Sequence, residues 1–217
     1  MDNIRLRQDI LDELDFVPSI DATKIGVTVS EGVVTLTGHV SSYAEKITAE
    51  EAVRRIKGVH AIANEIEVRY PGEKTTSDED IAKRALNILE WNDVIPSDGV
   101  QVKVEKGWVT LSGEVAWQYQ KKAAEDAVRK MTGVMGVINN ISLKPSVLVK
   151  DVKERIESAL QRHAEIEAGA IQVSVRGGNR VLLEGKVDNW DERDAVENAA
   201  WSVPGVQSVD DRLIIAP

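Results

Sequence analysis

One nine-residue pattern occurs three times in this 217-residue chain, and it limits the fold more than any other feature. It reads Gly32-Val-Val-Thr-Leu-Thr-Gly38-His-Val40, then Gly107-Trp-Val-Thr-Leu-Ser-Gly113-Glu-Val115, then Asn179-Arg-Val-Leu-Leu-Glu-Gly185-Lys-Val187. In each copy a Gly-Val pair follows 20 residues after the second glycine: Gly58-Val59, Gly133-Val134 and Gly205-Val206. The copies are offset by 75 and then 72 residues. A segment that recurs with its internal spacing intact is one structural module used three times.

Each copy presents the same order of signals. An apolar stripe at helical spacing comes first: Leu6, Ile10, Leu14; Ile81, Ala85, Leu89; Val152, Ile156, Leu160. Ser77 or Asp78 is a fitting N-cap for the second of these. Two alternating runs joined by a tight glycine turn predict a β-hairpin, for example Val100, Val102, Val104 followed by Val109 and Leu111. In copy three the turn, from Arg176 to Asn179, is one residue longer. A second helix turns small residues inward (Ala49, Ala52, Val53; Ala124, Ala127, Val128; Val196, Ala199, Ala200), and the Gly-Val pair is expected to end it as a C′ glycine would. A third strand closes the unit over 62–68, 137–143 and 209–215. The expected fold class is therefore α+β: three tandem αββαβ modules, each a three-stranded mixed sheet with two helices on one face. The expected domains are 1–70, 76–144 and 147–217, separated at Pro71 to Ser77 and at Lys144-Pro145-Ser146.

Composition excludes several classes of function. No run of about 18 apolar residues is present, so no transmembrane helix is expected. Met1 to Leu14 has no apolar core of a secretory signal, so the chain as it stands reads as cytoplasmic, and as periplasmic if a leader preceded it. There is no cysteine, which rules out disulfides and thiolate metal sites. The net charge of −9 repels phosphate backbones, so no nucleic-acid partner is expected. That charge divides unevenly: −4 over residues 1–72, −1 over 73–146 and −4 over 147–217.

The hairpin Gly-x-Val-Thr-Leu-x-Gly-x-Val and the later Gly-Val resemble the BON domain. Copies one and two keep every motif residue. Copy three has Asn179 for the turn glycine and Leu182 for the threonine, and keeps Val181, Leu183, Gly185 and Gly205-Val206. The resemblance covers essentially the whole chain and is strongest to the osmotic-stress type. It implies a non-catalytic module that attaches proteins to phospholipid membranes or envelope components, in members that are often periplasmic.

The residues themselves carry no catalytic constellation, and no cofactor is expected. His39, His60 and His163 occupy unrelated positions, so surface histidines account for them better than metal ligation. Gly38, Gly113 and Gly185 end a strand, and Gly58, Gly133 and Gly205 end a helix. Backbone geometry explains these six better than a ligand does. The tryptophans are more informative. Trp108 aligns with Val33 and Arg180, Trp117 with Ser42 and Asn189, Trp190 with Tyr43 and Gln118, and Trp201 with Arg54 and Arg129. Positions that accept polar residues elsewhere are at least partly exposed, and Trp91 sits at a helix end. Packing between modules and binding of an outside partner both fit. Lys121, Lys122, Arg129 and Lys130 share a helix with Trp117 near its start. A solvated helix face explains them, and so does rest on anionic headgroups, at about 1 kcal/mol per cation. The expected binding surface is thus Trp117, Lys121, Lys122, Arg129, Lys130, Trp91 and Trp108, for an anionic phospholipid or envelope component. The alternative is a scaffold for protein partners.

Overall fold

The computed structural model describes residues 3–70, 76–96, 98–144, 151–162, 168–177 and 179–216. Residues 71–75 and 145–146 of the expected linkers, His163 and Gly178 lie outside them. Each repeat forms its own sheet. Module 1 comprises α1 (Asn3–Phe16), β1 (Ile25–Ser30), β2 (Val33–Val40), α2 (Tyr43–Arg54), β3 (Ala61–Asn64) and β4 (Glu67–Val68). Module 2 comprises α3 (Asp78–Glu90), β5 (Val100–Glu105), β6 (Trp108–Val115), α4 (Gln118–Arg129) and β7 (Gly136–Leu143). Module 3 comprises α5 (Val152–Leu160), β8 (Ile171–Arg176), β9 (Arg180–Val187), α6 (Trp190–Trp201) and β10 (Ser208–Ile215).

The middle strand of each sheet is the one that carries the motif. It pairs antiparallel with the strand before it and parallel with the strand that returns after the second helix. A parallel return needs a crossover, and the second helix supplies it. The sheets are therefore mixed. The two-residue turns Glu31-Gly32 and Lys106-Gly107 have positive φ at both positions, the geometry that matches strand twist in a hairpin. In module 3 the longer turn ends on Asn179 at φ 53.

Both helices cover one face. In module 3, Val152, Ile156 and Leu160 of α5 share a core with Val173, Val181, Leu183 and Leu213 of the sheet and Val196, Ala199 and Ala200 of α6. Module 2 repeats this with Ile81, Ala85, Leu89, Val109, Leu111, Ile141, Ala124 and Val128. Alanines on the second helix let it lie close to the sheet. Ser77 caps α3, its hydroxyl accepting the Asp80 N–H.

Two expectations need correction. The last strand of module 1 is not continuous: β3 ends at Asn64, β4 begins at Glu67, and both pair with β2. The Gly-Val pairs do not cap the second helices. Those helices end at Arg54, Arg129 and Trp201, and a further turn intervenes before Gly58, Gly133 and Gly205. There the valine N–H bonds back three residues, as from Val134 to the Met131 carbonyl at 3.3 Å.

The contacts group the chain into two compact units, Met1–Val53 with Ala61–Lys144 and Arg54–His60 with Pro145–Pro217. The first is unit 1 and the second unit 2.

Candidate binding surface

The strand-end glycines are fully explained by backbone. Gly113 has φ +124, and a Cβ built there would overlap the Gly99 carbonyl oxygen. Gly38 meets the Lys24 carbonyl and Gly185 the Ala170 carbonyl in the same way. The first hairpin strand begins so close to the middle strand that no side chain fits.

The start of each second helix is set by one repeated device that the motif search overlooked. Glu45, Gln120 and Glu192 occupy the same position, three residues after Ser42, Trp117 and Asn189. Each reaches back to the backbone before the helix, as in a capping box. Glu45 accepts the Asp21 and Ser41 N–H groups and the Ser41 hydroxyl. Gln120 accepts the N–H groups of Ala116 and Trp117, and its amide donates to the Val94 carbonyl at 3.2 Å. Glu192 accepts the Asp188 N–H. Burial pushes the Glu45 carboxyl up, but the hydrogen bonds from Ser41 and the Asp21 amide outweigh this and hold it below the usual value. The sequence signal was the spacing S-x-x-E and N-x-x-E.

A second repeated device ties the last strand to the second helix. Asn64, Asn139 and Asp211 align, and each side-chain oxygen accepts the N–H two residues on. Asn64 also donates to Glu50, and Asn139 to Glu125. Asp211 pairs with Arg193 at 2.6 Å.

Beyond these shared devices the second helices differ in what they touch. In unit 1, Tyr43 at the start of α2 packs against the module 2 core. The Tyr70 hydroxyl donates to the Val134 carbonyl at 2.6 Å. Arg129 pairs with Glu51 at 3.3 Å and with Asp126 at 3.2 Å. Burial raises both tyrosine pKa values above the ordinary one. In unit 2 the turn 54–60 is met by Trp190, which aligns with Tyr43. The Trp190 indole N–H donates to the Val59 carbonyl at 3.0 Å, and Val59 aligns with Val134. Arg54, which aligns with Arg129, pairs with Asp194 at 3.1 Å and lies 4.9 Å from the Trp190 ring centre. Arg193 lies 5.2 Å from the same ring. One rule covers both units: the aromatic at the start of a second helix packs on protein, Tyr43 on the module 2 core and Trp190 at the Val59 carbonyl, and an arginine before a Gly-Val turn meets a carboxylate.

Module 2 departs from that rule at the start of its own second helix. Gln118 stands where Tyr43 and Trp190 stand, and Lys122 stands where module 3 has Asp194. The aromatics there are instead Trp117, 37% exposed, and Tyr119, 58% exposed, with ring centres 6.3 Å apart. The Gln120–Val94 bond brings the loop after Trp91 to this corner, and Trp91 is 86% exposed.

The residues singled out by sequence therefore separate into three places. Trp117, Lys122 and the loop after Trp91 share the corner, with Lys121 half-buried and Lys122 exposed. Trp108 lies away from it on the open face of the sheet, half exposed, where a Cβ on Gly136 would run into its ring. Arg129 and Lys130 end the helix, with Arg129 held in ion pairs and Lys130 on the rim of a cavity. Trp190 and Trp201 are half-buried, the latter donating to Glu197. Among the described residues there is no cluster suited to a metal ion, and no helix is long and apolar enough to cross a membrane.

Comparison with known proteins agrees with the repeat. A family model described as BON domain matches residues 2–70, 77–145 and 149–217. Osmotically-inducible protein Y of Escherichia coli (strain K12) is 33% identical over 135 residues, 58% of this chain and 65% of that protein. The match thus spans just under two thirds of the relative's length. Among solved structures, CdsD, a structural protein of the type III secretion system of Chlamydia trachomatis, is 17% identical, with 98% of this chain and 93% of that one covered, at a TM-score of 0.28. A likeness that weak supports no shared role. Three family matches span nearly all of the sequence, one to each sheet with its two helices, and the chain belongs to the BON domain family.

Proposed function

We propose that this chain is a non-catalytic binding protein of a stress-related, envelope-associated kind, and that it rests on anionic membrane surfaces through the corner of module 2. One observation carries the reading. The helix start whose aromatic packs on the module 2 core in module 1 and holds the Val59 carbonyl in module 3 is solvent-facing in module 2 and carries Trp117, Tyr119 and Lys122. Exposed tryptophan and tyrosine beside cations suit the headgroup layer, where an amphipathic ring finds both apolar and polar surroundings. Module 2 is also the least acidic, so it is the least repelled by an anionic surface. The likeness to an osmotically inducible protein supports the stress setting.

Cosedimentation tests this. The intact chain is expected to sediment with anionic vesicles at low salt, and less so near 0.15 M, where the Debye length is about 8 Å. Neutral vesicles should leave it in the supernatant. Trp117→Ser with Tyr119→Ser should abolish binding and leave the fold intact, because both side chains are exposed. If anionic vesicles also leave the protein in the supernatant at low salt, the membrane reading fails and a protein partner is the better occupant of the corner.

A further inference from the structure

Unit 1 contains a cavity of about 690 Å³ at the seam of modules 1 and 2. That lies within the roughly 300–1,000 Å³ of small-molecule sites. Val68, Tyr70, Met131 and Met135 give its lining apolar surface. Methionine thioethers adapt their shape to what lies against them. The same lining includes Lys106 and Lys130, both exposed. Neither ammonium has a hydrogen-bond or ion-pair partner among the described residues. The hydroxyls of Thr76 and Thr132 line the same cavity and are likewise uncommitted there.

The one carboxylate in the lining, Asp78, is already engaged. Its two oxygens accept the backbone N–H groups of Lys106 at 2.7 Å and Gly107 at 2.8 Å. Two uncommitted cations thus face one committed anion, in a chain of net charge −9. The repeats supply a control. Residues needed only for the fold recur in every copy, as the strand-end glycines do. Lys106 aligns instead with Glu31, and Met135 with His60 and Gln207. Lys130 aligns with Arg55 and Ser202, so the Lys106 charge and the Met135 thioether are the features that the other described copies lack and that the fold does not require.

We propose that this cavity binds an amphiphile with one anionic head and one apolar chain. The head, a phosphate or carboxylate, lies between Lys106 and Lys130, with the Thr76 and Thr132 hydroxyls as donors. The chain lies against Met131, Met135 and Val68. The site shares no residue with the aromatic corner, so it stands apart from the membrane-surface reading. The amphiphile has two sources, a bilayer lipid or a free molecule.

Titration calorimetry on the full chain tests the proposal, with dodecyl phosphate below its micelle concentration as the probe. One molecule is expected to bind per chain, at least tenfold tighter than inorganic phosphate or dodecyltrimethylammonium. Lys106→Gln with Lys130→Gln should weaken binding at least tenfold at an unchanged melting temperature. Trp117→Ser with Tyr119→Ser should leave it unchanged, which separates this site from the corner. Anionic vesicles that displace dodecyl phosphate identify bilayer lipid as the source, and vesicles that sediment the chain without displacing it identify the free molecule. Failure of dodecyl phosphate to bind, equal binding of the cationic amphiphile, or undiminished binding to the double lysine variant overturns the proposal, whatever the vesicles do.

Discussion

Gly113→Ala puts the smallest possible side chain at the point where strand β5 begins against β6. Two costs add. The backbone there has φ +124, which an L-residue adopts only with strain of about 1–3 kcal/mol. The new Cβ also overlaps the Gly99 carbonyl oxygen, so that oxygen must move. It cannot move freely, because it accepts the Glu114 N–H at 3.0 Å. Losing that bond costs about 0.5–1.5 kcal/mol. The sum is about 1.5–4.5 kcal/mol, confined to module 2. In urea, with a slope of about 1–3 kcal/mol/M, the unfolding midpoint of the module should fall by roughly 1–2 M. Hydrogen exchange along β5 and β6 gives the local readout, and strands β1, β2, β8 and β9 serve as internal references. Gly169→Ala is the matched control, since nothing lies within 4 Å of a Cβ there. A Gly113→Ala protein with the midpoint and exchange of the parent would refute the steric account and reopen the case for a ligand at the repeated glycines.

The Glu45 carboxyl is held below its ordinary value of 4.5 in the fold, so the stability it contributes is present above that pH and is lost as pH falls through the folded value. Exchange in β1 and β2 should therefore rise in acid below about pH 4.5. Gln120, which does not titrate, should spare β5 and β6 this particular loss, and Glu45→Gln should flatten the module 1 response. Trp190→Ala removes the bond to the Val59 carbonyl, worth about 0.5–1.5 kcal/mol, and two cation–π contacts of about 0.5–1 kcal/mol each, so a loss of about 1.5–3.5 kcal/mol is expected in unit 2 by calorimetry. Trp190→Phe should lose only the first part. Residues 76–144 expressed alone should unfold cooperatively, at a lower midpoint than in the whole chain because Tyr43 and Tyr70 are missing; a fragment with no cooperative transition would show that module 2 is not a domain.

The elements of each module were legible because their signals are local. Period two in Val100, Val102 and Val104 needs only the pleat, and the Ile81, Ala85, Leu89 stripe needs only the helical repeat. The break in the last strand of module 1 was not legible, because Ile62, Ile66 and Val68 keep the period of an unbroken strand, and Asn64 makes the same side-chain bond that Asn139 and Asp211 make inside the continuous β7 and β10. The turn before Gly58, Gly133 and Gly205 was misread for a related reason: a glycine at positive φ marks a backbone conformation but not how far the helix before it extends.

The repeat, the fold class and the exposure of the tryptophans followed from sequence alone, since aligned copies report which positions tolerate polar residues. What the alignment could not decide was which exposed aromatic meets another part of the chain. Trp190 and Trp117 both sit at positions that other copies fill with polar side chains, yet one holds a carbonyl 131 residues away and the other faces solvent. Arg129 read as a free cation beside Lys130, and besides Asp126 on its own helix it pairs with Glu51, 78 residues back along the chain. Periodicity is set by each residue's near neighbours, whereas such pairings depend on where whole modules come to rest, and only the tertiary structure carries that information.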